Sequence, residues 1–184
     1  YSTWDEIGSG LPGNRINVYG PPPTSGTRDA FVELAIEAGA RKFPTAEELR
    51  SNNESRFKEI VDPLRKDGWV DAGENDNAIV GTLTKTPGAL GVFGWSYLEE
   101  NMDKIKGASV NGVKPSAQTI ADGSYPLSRS LFIYVKNEAL ENESVYEFTK
   151  YTLEMAAEMA AEVGYVALPA ESYEAALTTL GGLK

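Results

Sequence analysis

Ser25, Gly26, Thr27 and Arg28 are the residues whose types and spacing point most directly to chemistry in this chain. They follow Gly20-Pro21-Pro22-Pro23-Thr24, a rigid, donor-poor loop, and they open an apolar-periodic stretch. A helix start presents unpaired backbone N–H groups and partial positive charge. Gly26 has no side chain to hold an anion away. Ser25 and Thr27 add hydroxyl donors, and Arg28 adds a permanently charged fork matched to tetrahedral oxyanions. Together these form an anion cradle. Hydrogen bonds to a charged group contribute roughly 1.5–3 kcal/mol each. A handful of them supplies about half or more of the roughly 8 kcal/mol behind micromolar affinity. Desolvation and ordering oppose that gain. The plainer reading of Ser-Gly-Thr is an ordinary helix cap, and the residues alone leave both open. Asp29 suits the helix dipole but would repel an anion on its own side, so it is expected to point aside and brace Arg28.

Composition narrows the alternatives. The 184 residues include 27 acidic and 17 basic side chains, for a net charge of −10, with no histidine and no cysteine. Disulfides, thiol chemistry, His-assisted nucleophiles and zinc sites built on His or Cys are excluded. A carboxylate-only metal site survives, yet no metal and no cofactor is expected. Nucleic acid is not an expected partner, because basic residues never run longer than a pair, as at Arg41–Lys42 and Arg65–Lys66. No apolar run approaches the ~18 residues of a membrane span. The opening Tyr1-Ser2-Thr3-Trp4-Asp5-Glu6 has neither an initiator Met nor a leader pattern, and is expected to be the start of a mature, trimmed or excised polypeptide.

The elements that must position the cradle alternate between strand and helix. Ile16-Asn17-Val18-Tyr19 reads as a strand entering the proline loop, and a helix is predicted over 27–38, ending at Gly39. A second helical region is predicted from Pro44 to about Lys66, kinked or ended by Pro63. Gly68 to Asp76 reads as polar loop around Trp69-Val70. Further predictions are a helix at Asn77–Leu83, a strand within Gly88–Gly94, and a helix over 96–105. Asn111-Gly112 marks a hairpin turn, and Ser116–Ala121 a short helix. Leu131-Phe132-Ile133-Tyr134-Val135 is the best strand signal, apolar enough to be covered on both faces. The longest helix is predicted at 144–163, capped by Gly164, and a last one from Ala170 to Leu180. The class is α/β.

Other polar groups have simpler readings. Glu74-Asn75-Asp76-Asn77 lacks the alternating acceptors of a calcium loop and reads as a helix cap. Phe148, Thr152, Met155, Met159 and Val163 have helical spacing and are expected to face a core. Glu99, Glu100, Asp103, Lys104 and Lys106 read as a solvated helix face, with Glu100–Lys104 an i,i+4 pair.

Several segments, in order, resemble the phosphate-binding proteins that feed phosphate ABC transporters in bacteria. They are Thr3-Trp4-Asp5-Glu6-Ile7, Leu11-Pro12, Gly20 through Phe31, Ala72 through Asn77, Pro87 through Gly94, Ile120 through Arg129, and Gly164-Tyr165-Val166-Ala167-Leu168-Pro169. The resemblance implies a class II periplasmic-binding-protein fold with two lobes. Residues 1–127 resemble the second lobe, which carries the anion loop. Residues 128–184 resemble the C-terminal return into the first lobe. The family's N-terminal portion has no counterpart here. In the family that portion donates roughly half of the anion site, including a carboxylate that accepts the proton of hydrogen phosphate.

Carried over residue by residue, Ser25, Gly26 and Thr27 match the family's phosphate loop. The upstream Arg of many members falls near Pro21, and Arg28 stands in for it. The resemblance implies inorganic phosphate as ligand, a membrane permease and the missing N-terminal portion as partners, periplasmic residence, and binding without catalysis. If that first lobe is incomplete, part of the Phe148–Val163 stripe is expected to lose its cover. Two other readings remain: a sensor or surface interaction module whose loop is only a cap, and an enzyme on phosphorylated substrates, for which no general base is visible.

Overall fold

The computed structural model describes residues 1–66 and 68–184, with 64–66 described as backbone only. The Arg65–Lys66 side chains therefore lie outside the description. The chain divides into two compact units, Tyr1–Gly107 and Ala108–Lys184.

The first unit is built on a short parallel sheet. Its strands are β1 (Val18–Gly20), β2 (Trp69–Asp71) and β3 (Leu90–Gly91), in the order β2-β1-β3. Val18 pairs with Trp69 on one side and with Leu90 on the other. Parallel strands need crossovers, and helices provide them here. From β1 the chain runs through α1 (Gly26–Phe31), a π-helical segment (Val32–Glu37) and α2 (Ala38–Ala40). It continues through α3 (Pro44–Asn52) and α4 (Glu54–Lys66) to β2. It then crosses by α5 (Asp76–Leu83) to β3, and α6 (Trp95–Glu99) follows. The strand order thus reverses at β1.

Phe57 and Val61 of α4 are almost wholly buried against Ala40, with Ile36, Ala46 and Leu49 packed around them. Ile79 and Val80 bury the inner face of α5. This amphipathic burial, more than propensity, holds short helices in place.

Four expectations for this unit need correction. The helix that Ser25 caps runs past Gly39 to Ala40, and its middle widens into π geometry, which sequence periodicity at 3.6 cannot signal. The second helical region breaks at Asn53 rather than at Pro63, which sits inside α4. Asn53 leaves helical geometry, and its side-chain oxygen accepts the Arg56 N–H at 3.1 Å, so it restarts the helix. Trp69-Val70 is strand rather than loop, because β1 supplies the ladder that two apolar residues could not announce. The helix predicted over 96–105 stops at Glu99. The Asn101 side chain donates to the Tyr97 carbonyl at 3.0 Å, one such local bond competing with a helix ladder. Lys104 accordingly bonds Asn101 at 3.2 Å.

The second unit contains α7 (Ala117–Ala121), a 3₁₀ turn (Asn137–Glu141), α8 (Glu143–Glu162) and α9 (Ala170–Gly181). Asn111 (φ 52°) and Gly112 (φ 83°) make the predicted tight turn, closed by the Val110–Val113 bridge. Asn142 caps α8 by accepting the Ser144 N–H at 2.9 Å. At its other end Tyr165 N donates to Ala160 O at 2.8 Å and Gly164 N to Ala161 O at 3.2 Å, the paired bonds of a Schellman cap. Leu140 and Leu180 are buried. Lys184 ties the end of the chain to the start of α8 through the Glu143 carboxylate at 2.9 Å.

The strongest strand signal is not a strand. Residues 131–135 pair with no ladder among the described residues. Leu131 is 65% exposed, Phe132 73%, Ile133 67% and Tyr134 90%. Among the described residues the regular elements of this unit are helices, so a strand preference there has no neighbouring strand to pair with. The Phe148–Val163 stripe also departs from a purely core-facing role. Thr152 and Met155 are half-buried, while Phe148, Met159 and Val163 are exposed.

Candidate functional site

The site is built at the carboxyl end of the central strand. β1 ends at Gly20, and Pro21 behind it is almost fully buried. The Ser25 N–H donates to the Pro22 carbonyl at 3.0 Å, folding the proline run into a turn. Ser25 is the N-cap of α1: its hydroxyl oxygen accepts the Thr27 N–H at 3.3 Å, and its carbonyl accepts the Asp29 N–H at 3.1 Å. Accepting through its oxygen, the Ser25 hydroxyl keeps its hydrogen for a further acceptor. Ser25 is buried, Gly26 is exposed at the tip, and Thr27 is half-buried. The backbone thus brings Ser25, Gly26 and Thr27 into one helical turn.

Arg28 lies in the same turn but faces inward. It is only 8% exposed, and its guanidinium carbon sits 4.5 Å from the centre of the Trp69 ring. Phe31, one turn on, meets the same ring at 5.7 Å with a 47° tilt. Asp29 is exposed. The indole reaches across the ladder from β2 to lie on Gly20. A Cβ added at Gly20 would stand 2.6 Å from Trp69 Cη2 and closer still to Cζ2. Gly20 is therefore glycine for lack of space.

The loops after β2 and β3 flank the same end of the sheet. Ala72 N donates to Gly20 O at 2.9 Å, and Val92 N donates to Tyr19 O at 2.8 Å, so both neighbours leave the sheet level with β1. Asn75 caps α5 by accepting the Asn77 N–H at 3.0 Å, as its sequence suggests. Asp76 accepts the Gly94 N–H at 3.2 Å and thereby ties the two loops together. Burial raises its carboxyl above the ordinary aspartate value; the Gly94 N–H works against that shift, and Glu74 adds slightly to it. Among the described residues, no group of three or more acidic side chains converges to hold a metal ion.

Two residues at this end of the sheet escape sequence reading. Trp69 is hidden because its segment reads as loop. Asp76 reads only as part of a cap, and its link to Gly94 spans 18 positions. In open parallel α/β sheets ligands bind outside the carboxyl ends of the strands, where strand order reverses. That is where Ser25, Gly26 and Thr27 stand.

A parallel sheet with helical crossovers, carrying a capped helix start at the carboxyl end of its central strand, fits a lobe of a periplasmic-binding-protein-like fold. The chain belongs to the PBP superfamily, whose domain model matches residues 2–155. Its α/β, periplasmic-binding-protein-like fold is shared with solved structures. One is a possible phosphate binding protein from Planctomyces limnophilus, 29% identical with a TM-score of 0.67, covering 100% of this chain and 59% of that one. PstS from Borrelia burgdorferi, 20% identical with a TM-score of 0.58, shares the fold, covering 92% of this chain and 58% of that one. Among curated relatives, the phosphate-binding protein PstS of Staphylococcus epidermidis is 33% identical over 184 residues, 97% of this chain and 48% of that protein. Protein SphX of Synechococcus elongatus is 33% identical over 181 residues, 95% of this chain and 46% of that protein. The chain spans about half the length of the curated relatives it matches.

Proposed function

We propose that this chain binds inorganic phosphate for delivery to an ABC transporter permease, in the periplasm, without catalysing a reaction. Ser25, Gly26, Thr27 and Arg28 form its share of the anion site. The observation that carries the reading is the Ser25-capped turn at the carboxyl end of the central strand, with the Arg28 cation held in that same turn. The names of the relatives favour phosphate over other oxyanions.

In this reading residues 1–127 are the second lobe and 128–184 return to the first. The remainder of the first lobe is the portion corresponding to the half of the relatives that this chain does not span. The exposed run Leu131–Tyr134 favours that division, since an apolar segment open on both faces suits an interior strand of a sheet completed from elsewhere. The added portion supplies the facing half of the site, and lobe closure buries the ligand. Recognition by local donors is compatible with a net charge of −10.

Half a site holds phosphate weakly. Net binding of about 4 kcal/mol corresponds to a Kd near ~1 mM. Calorimetric titration of the chain with phosphate should show millimolar binding, and R28A should weaken it by about 10- to 150-fold. Absence of binding to the unaltered chain would favour the sensor or interaction-module reading, in which the Ser25 contact to Thr27 N is only a cap. Unchanged affinity in R28A would remove Arg28 from the site.

A further inference from the structure

We propose that Trp69 is a positioning residue of the anion site, acting through Arg28. This inference rests on the phosphate-binding reading above. A guanidinium on a flexible stem is a poor donor until its orientation is fixed, because ordering it upon binding costs roughly 0.5–1.5 kcal/mol per side chain. Trp69 supplies that order in advance. Its ring lies 4.5 Å from the Arg28 guanidinium carbon, inside cation–π range. The attraction is between the cation and the quadrupole of the ring, and the N–H groups of a guanidinium lie in its own plane.

Three further observations place the ring for this purpose. Gly20, the last residue of the central strand, leaves the notch that the indole fills. Phe31 braces the ring at 5.7 Å from the same helical segment that carries Arg28. The indole Nε1–H is buried with no hydrogen-bond partner among the described residues. A buried Trp ordinarily finds a partner for its N–H. Here the ring is held by its contacts with Arg28, Phe31 and Gly20, and its polar handle takes no part among the described residues. The sheet thus transmits its rigidity to the cation: β2 pairs with β1 from Val18–Trp69 to Gly20–Asp71, and the indole spans that register.

The test is a double-mutant cycle on the full 184-residue chain, with inorganic phosphate as the probe and amide shifts of residues 26–28 as the readout. W69L should weaken phosphate about three- to tenfold in the unaltered background. In an R28A background, where binding is too weak to saturate, the same substitution should change the initial slope of the amide shifts against phosphate by less than about 1.5-fold, because the residue through which it acts is gone. W69F, which keeps an aromatic face, should recover most of the loss. A W69L effect equal in both backgrounds, or no effect in either, overturns the positioning role. If R28A itself leaves phosphate affinity intact, the underlying assignment of Arg28 fails instead. Should W69L fail to fold, G20A, which displaces the ring and keeps it, replaces it in the cycle with the same two diagnostic outcomes.

Discussion

Gly20→Ala asks for a large consequence from one methyl group. Two effects of opposite sign compete. Replacing glycine by alanine in an extended strand removes unfolded-state freedom and by itself stabilises by about 0.4–1 kcal/mol. Against that, the new Cβ would lie 2.6 Å from Trp69 Cη2, a separation that cannot persist. The ring must move off Gly20, and overpacking of this kind costs about 1–3 kcal/mol. Displacement also loosens the Arg28 contact, worth about 0.5–2 kcal/mol, and the Phe31 contact, worth about 0.5–1.5 kcal/mol. These losses overlap, so the net destabilisation should be about 1–2 kcal/mol. Urea unfolding followed by far-UV circular dichroism measures it as a shift in midpoint at constant slope. In a Trp69→Ala background the notch is empty, and Gly20→Ala should then stabilise: the sign reverses. Equal costs in both backgrounds, or no cost in the otherwise unaltered chain, would refute the steric argument.

Two further outcomes follow from the same structure. Asp76 is more easily protonated in the folded state than in the unfolded chain, so its ionisation opposes folding. Its contribution is present at low pH and lost as pH rises from its ordinary value of 3.8 through its raised folded value. Asp76→Asn should therefore gain stability relative to the unaltered chain as pH rises through that window. A constant difference across pH, followed by thermal melts, would contradict the burial argument. Ile133 is 67% exposed in an apolar run with strong β-propensity. Ile133→Lys should reduce self-association of the isolated chain in sedimentation, and a monomeric unaltered chain with no response to the substitution would show the run to be inert.

How much of this was legible depends on where each signal is stored. The ends of α8 are written locally, in Asn142 and Gly164, and they fall within a residue or two of expectation. The Asn111-Gly112 turn is equally local. The Ser25 cap of α1 was legible for the same reason, since a cap and the residues that follow it need only adjacent positions. Long-range partnership is what the residues do not print. β2 exists because β1 lies beside it, and Trp69 joins Arg28 only after α1 and β2 have met. Leu131–Val135 shows the converse. Its strand preference is plain in the sequence, but a strand is a property of a pair, and the described residues offer no second member.

In the proposed reading the Ser25–Arg28 turn receives a phosphate. The most direct measurement is a titration of the isotopically labelled chain with inorganic phosphate at constant ionic strength, reading backbone amide shifts residue by residue. Saturable, millimolar shifts concentrated at Gly26, Thr27 and Arg28 are expected, with the Trp69 indole resonance moving alongside them. Shifts scattered over the surface without saturation, or a cluster elsewhere that leaves residues 25–28 still, would contradict it.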